Sequence, residues 1–300
     1  MEFSRAVAAL RTAVADSSRA QAPPELVEQV FGLVRPSIGL AIPARSRNGA
    51  IPGPAADATR GPVPGAVTGA TRGPVAGSIA SPVASPVASP VAGSIASPVA
   101  GWYGGRPGLP DGVPWPHHHG RPMTLLAQLD CAALAPLLGP EWTLPRNGTL
   151  LFFADEWHHA DFGADPGDDG CAVLHVPGGL PGRAAPPAAV TIPALPLVAA
   201  PVLAAPYYEE PELAAAFWTD PIRVMGLATE IRDRLPTVRH RLLGWPDTPV
   251  AELPNHRPLL SLQAEEGTAW GELVGISFWI GDRDLAAGEV SRVRRVLDIA

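Results

Sequence analysis

Three consecutive histidines, His117, His118 and His119, form the densest run of titratable side chains in the chain, and His158 and His159 follow beside Asp161. Imidazole and carboxylate groups ligate zinc and other transition metals. A metal held by this sequence would draw on His117, His119, His158 and Asp161. The spacing argues against it. Adjacent histidines point in different directions, whereas ligands on one element recur at i, i+2 on a strand or i, i+4 on a helix. Prolines flank the triple, so we expect a turn carrying solvated histidines and no bound metal. Asp161, Asp165, Asp168 and Asp169 crowd one glycine-containing loop. Calcium loops need acidic ligands at alternate positions and a later bidentate glutamate, and this loop has neither.

Nucleophilic chemistry finds no support. The chain has no Gly-x-Ser-x-Gly elbow, and neither Cys131 nor Cys171 sits in a motif that lowers a thiol pKa. Cys131 opens an Ala/Leu helix and Cys171 begins an apolar strand, so both read as small core residues. Glu209, Glu210 and Glu212 offer paired acids, but negative charge there suits a helix N-terminus better. All 22 basic residues are arginine. The absence of lysine excludes a phosphate loop ending in Gly-Lys-Ser/Thr, a Schiff-base lysine and a protein-kinase active site. We assign no catalytic residue and expect no cofactor.

What remains is a rigid aromatic loop. Residues 101–116 combine the paired glycines Gly104 and Gly105, closely spaced prolines, and the aromatics Trp102, Tyr103 and Trp115. Proline fixes φ and glycine admits conformations closed to other residues, so such a loop holds one shape. Together with Trp270, these aromatics either clamp the loop onto a sheet or line a recognition groove in which Glu272 supplies a polar contact. The first reading is favoured, because aromatics dominate core burial.

The elements that position these groups are mixed. Phe3, Val7, Leu10 and Val14 share one helical face, and a second helix opens at Pro23-Pro24 and runs over 25–34. Residues 37–42 alternate like a short strand. Further strands are expected at 123–129, 149–154, 171–176, 259–263 and 274–280, and helices at 132–138, 211–218 and 227–235. Asp282 and Asp284 should cap a short helix that ends at Gly288, while 290–299 fits a helix or an edge strand. Without regular alternation the fold class is α+β, with mostly antiparallel sheet.

From 61 to 100 the chain repeats every four residues, with units such as GPVA, GSIA and SPVA. A period of four fits neither strand nor heptad, and one Val or Ile per unit buries too little to offset backbone ordering. We expect a disordered, partly polyproline-II tract, not a repeat stack or a PxxP docking ligand. The division is then a helical extension over 1–22, the first helix and strand over 23–44, a low-complexity insertion over 45–100, and the main body over 101–300.

A net charge of −7 without a basic run argues against a nucleic-acid partner. The longest uncharged stretch that could mimic a membrane span, 184–208, contains six prolines, which no membrane-spanning helix tolerates together. Two scattered cysteines and an N-terminus without an apolar core fit a cytoplasmic protein.

Seven collinear segments resemble the YwqG-like family, a bacterial domain with no assigned biochemical function. They are RPSIGL (35–40), GGRPGLPDGVPWP (104–116), GRPMTLLAQLD (120–130), GTLLFFA (148–154), FGADPGDDGCAVLHVPG (162–178), HRLLGWPD (240–247) and the pair LLSLQ with WGELVGISFWI (259–263 and 270–280). The chain departs from the family where the repeat ends in Ala100-Gly101-Trp102-Tyr103 instead of a Ser–Lys/Arg pair, and at Trp270-Gly271-Glu272, where Trp-Gly-Asp is usual. The resemblance implies one domain from about residue 25 to the C-terminus, interrupted by the repeat. Acidic charge and the lack of a catalytic set point to a non-enzymatic module with a protein partner, by association a toxin-neutralising one. The alternative is a small-ligand or metal-binding protein, or a hydrolase-type enzyme, using a cleft beside the Gly-Gly loop.

Overall fold

A computed structural model describes residues 3–15, 22–43, 98–155, 170–246, 253, 255–266, 268, 270 and 273–299. The chain begins with helices α1 (Phe3–Ala15) and α2 (Pro24–Gly32) and strand β1 (Arg35–Ala41). After the tetrapeptide tract come β2 (Val99–Tyr103), the short pair β3 (His117–His118) and β4 (Arg121–Pro122), β5 (Thr124–Asp130), α3 (Cys131–Leu138), β6 (Thr149–Ala154), β7 (Cys171–Val176) and β8 (Leu195–Ala204). Helices α4 (Ala214–Thr219) and α5 (Pro221–Asp233) lead to β9 (His240–Leu242), β10 (His256–Gln263), β11 (Leu273–Gly281), α6 (Asp282–Ala287) and β12 (Val293–Ile299).

Ten strands form one antiparallel sheet in the order β12-β11-β10-β9-β1-β8-β2-β5-β6-β7, which makes the fold α+β as expected. The sheet curls until its two edges approach. Phe152 of β6 meets Phe278 of β11 edge-to-face, with centroids 5.2 Å apart, although seven positions separate these strands in the order. At the rim the Cys171 thiol of β7 reaches the Val293 carbonyl of β12 at 3.7 Å.

Packing explains the sequence of β6. Leu150, Phe152 and Ala154 point into the main core, while Leu151 and Phe153 point to a second cluster with Trp115 and Met123. Both faces are covered, so the strand reads as an unbroken apolar run instead of an alternation. A third cluster forms between α1, α2 and α5, where Leu10, Val14, Val30, Val224, Leu227 and Ile231 bury against Leu203 of β8.

Several expectations change. The long strand β8, which holds Pro196 and Pro201, gives no strand signal in the sequence because proline normally bars a strand from a sheet interior. The ladder tolerates it through stagger: β8 pairs with β2 over 195–198 and with β1 over 198–204, so each proline lies where one flank alone is bonded. The low-complexity insertion stops short of Ala100, because Val99 and Ala100 of the last repeat unit already belong to β2 and Ala100 is buried. Residues 61–97 of the tract lie outside the described residues. Helix α5 starts six residues earlier than its apolar spacing suggests: the Asp220 side chain accepts from the Arg223 N–H, and Pro221 fills the first turn. Residues 211–218 split into a 3-10 turn followed by α4. Asp282 and Asp284 lie in the first turn of α6 and neither caps it, the N-cap being Gly281, whereas Gly288 ends it at φ 71°. The ambiguous terminal run is the edge strand β12.

Candidate functional site

The paired glycines are a joint between strands. Gly104 (φ 64°) donates to the Leu126 carbonyl at 2.7 Å, and Gly105 (φ 85°) to the Ile192 carbonyl at 2.9 Å. A Cβ on Gly104 would stand 2.8 Å from the Ile192 oxygen, so both the positive φ and the close approach demand glycine. Beyond them the Gln128 amide clasps the loop, donating to the Arg106 carbonyl at 3.0 Å and accepting from the Gly108 N–H at 3.3 Å.

The expected aromatic residues are mostly cement. Tyr103 is fully buried, stacked 6.0 Å from Trp270 and tilted 5.5 Å from the His240 ring. Burial raises the Tyr103 hydroxyl far above its usual range and lowers His240 to about 4. The His240 Nδ1 accepts from the Gln263 N–H at 3.2 Å, and its Nε2 lies 3.0 Å from the Glu265 carboxylate, itself held by Arg239 at 2.8 Å. Trp102 is half-buried on β2, beside the glycines. Glu272, His158 and Asp161 lie outside the described residues.

The histidine triple forms the tight hairpin β3–β4. His119 (φ 47°) and Gly120 (φ 76°) occupy its two turn positions, both with the positive φ that a type I′ turn requires. His119 is exposed. His117, exposed as well, and half-buried His118 line a hollow of about 950 Å³ between the hairpin, β7 and the approach to β12. The far end of the aromatic loop forms one wall through Val113 and Trp115, with Met123 beside them; the glycines are not part of it. Trp115 is fixed by an indole N–H to the Met123 carbonyl at 2.8 Å and by an edge contact 5.5 Å from Phe153. Cys171, Ala172 and Leu174 of β7 also line the hollow.

Charge gathers at this seam. Asp155, directly after β6, receives the His118 Nδ1 at 2.7 Å and is paired with Arg295 of β12, which also reaches the Gly170 carbonyl at 3.4 Å. The His117 Nδ1 lies 2.6 Å from the Trp115 carbonyl, which directs its other ring nitrogen away from the loop. His256, Asp284, Arg292 and Arg294 are also among the lining residues. Sequence reasoning found the histidines but missed Asp155, Arg295 and the arginines of the last strand. Asp155 was legible as a polar residue closing an apolar strand, whereas Arg292, Arg294 and Arg295 join the site only through the curl of the sheet. Among the described residues no group of three His, Cys, Asp or Glu side chains stands close enough to hold a metal.

A family model described as Domain of unknown function (DUF1963) matches residues 102–298. The chain belongs to this family. It is the YwqG-like family that the seven motifs resemble. The DUF1963 match begins inside β2, yet β1 lies in the sheet between β8 and β9, so the fold recruits residues from before the matched region. The family-like motif in that region anchors β1 to the turn after β9. Arg35 stacks 3.8 Å over Trp245 of the HRLLGWPD motif, and the Trp245 indole donates to the Leu33 carbonyl at 2.6 Å. No curated protein matches the chain. Among the described residues no helix is long and apolar enough to cross a membrane.

Proposed function

We propose that this DUF1963 protein binds a small molecule in the hollow at the seam between β7 and β12. The carrying observation is the hollow itself. At about 950 Å³ it is of the size that buries a ligand, walled by apolar side chains with a few converging polar ones. The Asp155 bridge to His118 and Arg295 supports this reading, because it fixes two walls against each other and holds a ring that lines the space. Binding is the activity proposed.

Cys171 supplies the test. It is half-buried at the wall, whereas Cys131 is buried and its thiol is raised to about 11 by burial and the neighbouring Asp130. A maleimide should therefore label Cys171. In a metabolite panel, a compound that occupies the hollow should raise Tm by about 5 °C or more at a hundredfold excess over Kd, and should slow labelling of Cys171. Ala172→Trp, which sets an indole into the hollow beside Cys171, should weaken both effects. Hits that neither protect Cys171 nor respond to this substitution would refute the reading.

A second reading, contact with a protein partner, is favoured by a separate feature. Trp218, Ile222 and Met225, spaced four and three residues apart across α4 and α5, are 83%, 81% and 41% exposed. Several large exposed apolar side chains close in sequence mark a contact surface more often than a single one does. Crosslinking in the native host should return one partner whose capture is lost in Trp218→Ser; capture that ignores this substitution would count against it.

A further inference from the structure

We propose that Glu210 is a proton-operated latch: neutral, it docks the connection 205–213 between β8 and α4 into the helical layer, and ionised, it releases that connection together with α4. The Glu210 side chain is buried at 6% exposure, and its Oε1 has no hydrogen-bond partner. A buried carboxylate with a bare oxygen is unstable as an anion and tolerated when protonated. The charges that face it come from three elements. Arg35 of β1 and Arg232 of α5 favour the anion, and Glu212 of the 3-10 turn Pro211–Leu213 opposes it. Both arginines are committed elsewhere. Arg35 stacks 3.8 Å over Trp245, stands 3.7 Å from Glu212, and also feels Arg257 and Asp282. Arg232 lies 5.3 Å over the Tyr207 ring and donates to the carbonyls of Ala205 and Pro246, each at 3.4 Å. Burial therefore prevails and raises Glu210 to about 7. Docking is firmest below 4.5, weakens as pH rises, and reaches its floor above about 7. The released piece is continuous. The Glu210 N–H donates to the Tyr207 carbonyl at 3.2 Å, its own carbonyl accepts from the Leu213 N–H at 2.8 Å, and α4 begins at the next residue. Tyr208 stacks 5.7 Å from Phe217 and ties the turn to α4. The exposed apolar stripe depends on this docking, because Trp218 stands on α4 while Ile222 and Met225 stand on α5. Undocking α4 separates them, so the stripe is assembled in acid and taken apart towards neutral pH. The latch stands whether or not the stripe meets a partner.

Amide hydrogen exchange of the full chain tests the latch at about pH 5 and about pH 7.5, with each rate divided by that of the unfolded chain at the same pH. The amides of Glu210, Leu213 and Asp220, all hydrogen-bonded in this segment, report on docking, and those of β6, paired on both sides, report on global unfolding. Between the two pH values, protection of the three reporters should fall about tenfold or more. At the higher pH they should also exchange at least about tenfold faster than β6, which marks a local opening. Glu210→Gln, a neutral stand-in for the protonated acid, should hold the reporters at their acid level throughout. Glu212→Gln keeps Glu210 in place, removes the like charge and leaves Arg35 to face it, so the fall should shrink. Reporters that keep their protection at pH 7.5, or that exchange no faster than β6, would overturn the latch. So would a fall that persists in Glu210→Gln. Should that variant not fold, an undiminished fall in Glu212→Gln is the overturning result.

Discussion

Two aromatic clusters in this molecule use the same residue types for opposite ends. Around Tyr103, the rings of Trp270 and His240 are sealed between strands, with Tyr103 at 0% and Trp270 at 2% exposure. On α4 and α5, Phe217 turns inward to stack 5.7 Å from Tyr208 while its neighbour Trp218 stands in solvent. The sealed cluster adjoins the loop that is richest in glycine and proline; the displayed one lies in a plain Ala-rich helix. Composition marks rigidity, and rigidity here serves packing. A contact surface needs exposure, which the rotation of about 100° from one helical residue to the next decides.

The sharpest way to break this contrast is to truncate the sealed cluster. Tyr103→Ala should destabilise the protein by about 3–5 kcal/mol, the range for deleting a buried ring, read as a lowered midpoint in urea. Tyr103→Phe removes the hydroxyl, whose bond to the Gln263 carbonyl is a long 3.4 Å, and should cost about 1 kcal/mol. Comparable small effects from both would show that the ring is not cement, and the contrast would fail.

The two regions should also differ in their response to pH. His240, in the sealed cluster, is lowered to about 4, mainly by burial and also by Arg239, while Glu265 opposes the shift. It is neutral in the folded state and prefers a proton when unfolded. Its contribution is therefore present above its ordinary value of 6.5 and lost as pH falls towards 4. Glu210, in the helical layer, is raised to about 7 by burial and by Glu212, against the pull of Arg35 and Arg232. Its contribution is present below 4.5 and lost as pH rises through 7. Each limb is on the order of 2 kcal/mol after allowance for relaxation around a buried charge. His240→Gln should flatten the acid limb of Tm against pH, and Glu210→Gln should flatten the neutral limb. A neutral limb that persists in Glu210→Gln would place that titration elsewhere.

Much of the fold was legible because burial leaves a local signature. β6 and β7 fall on the residues where apolar runs begin and end, at 149–154 and 171–176, and the Phe3–Leu10–Val14 face became the buried face of α1. Illegible parts are those where a long-range arrangement overrides the local rule. Proline in β8 argues against a strand until the staggered ladder is known. Of the candidate site, His117 and His118 were legible and His119 fell away, since a type I′ turn sends it to solvent. Arg292 and Arg294 carry no signal of a site, because they meet the histidines only when the sheet edges converge.

The displayed cluster calls for the mildest perturbation. Trp218→Ser/Ile222→Ser should change stability by less than about 0.5 kcal/mol, because both side chains are more than four-fifths exposed and leave no cavity behind. The same double change should suppress any concentration-dependent association seen by sedimentation velocity, since it removes the two most exposed apolar side chains of the stripe. Phe217→Ser, one residue away, serves as the internal control: its ring packs into the helical cluster, so its loss should cost several times more. Equal effects at 217 and 218 would mean that α4 is oriented differently, with Trp218 turned towards the core. The contrast between cement and contact would then vanish with it.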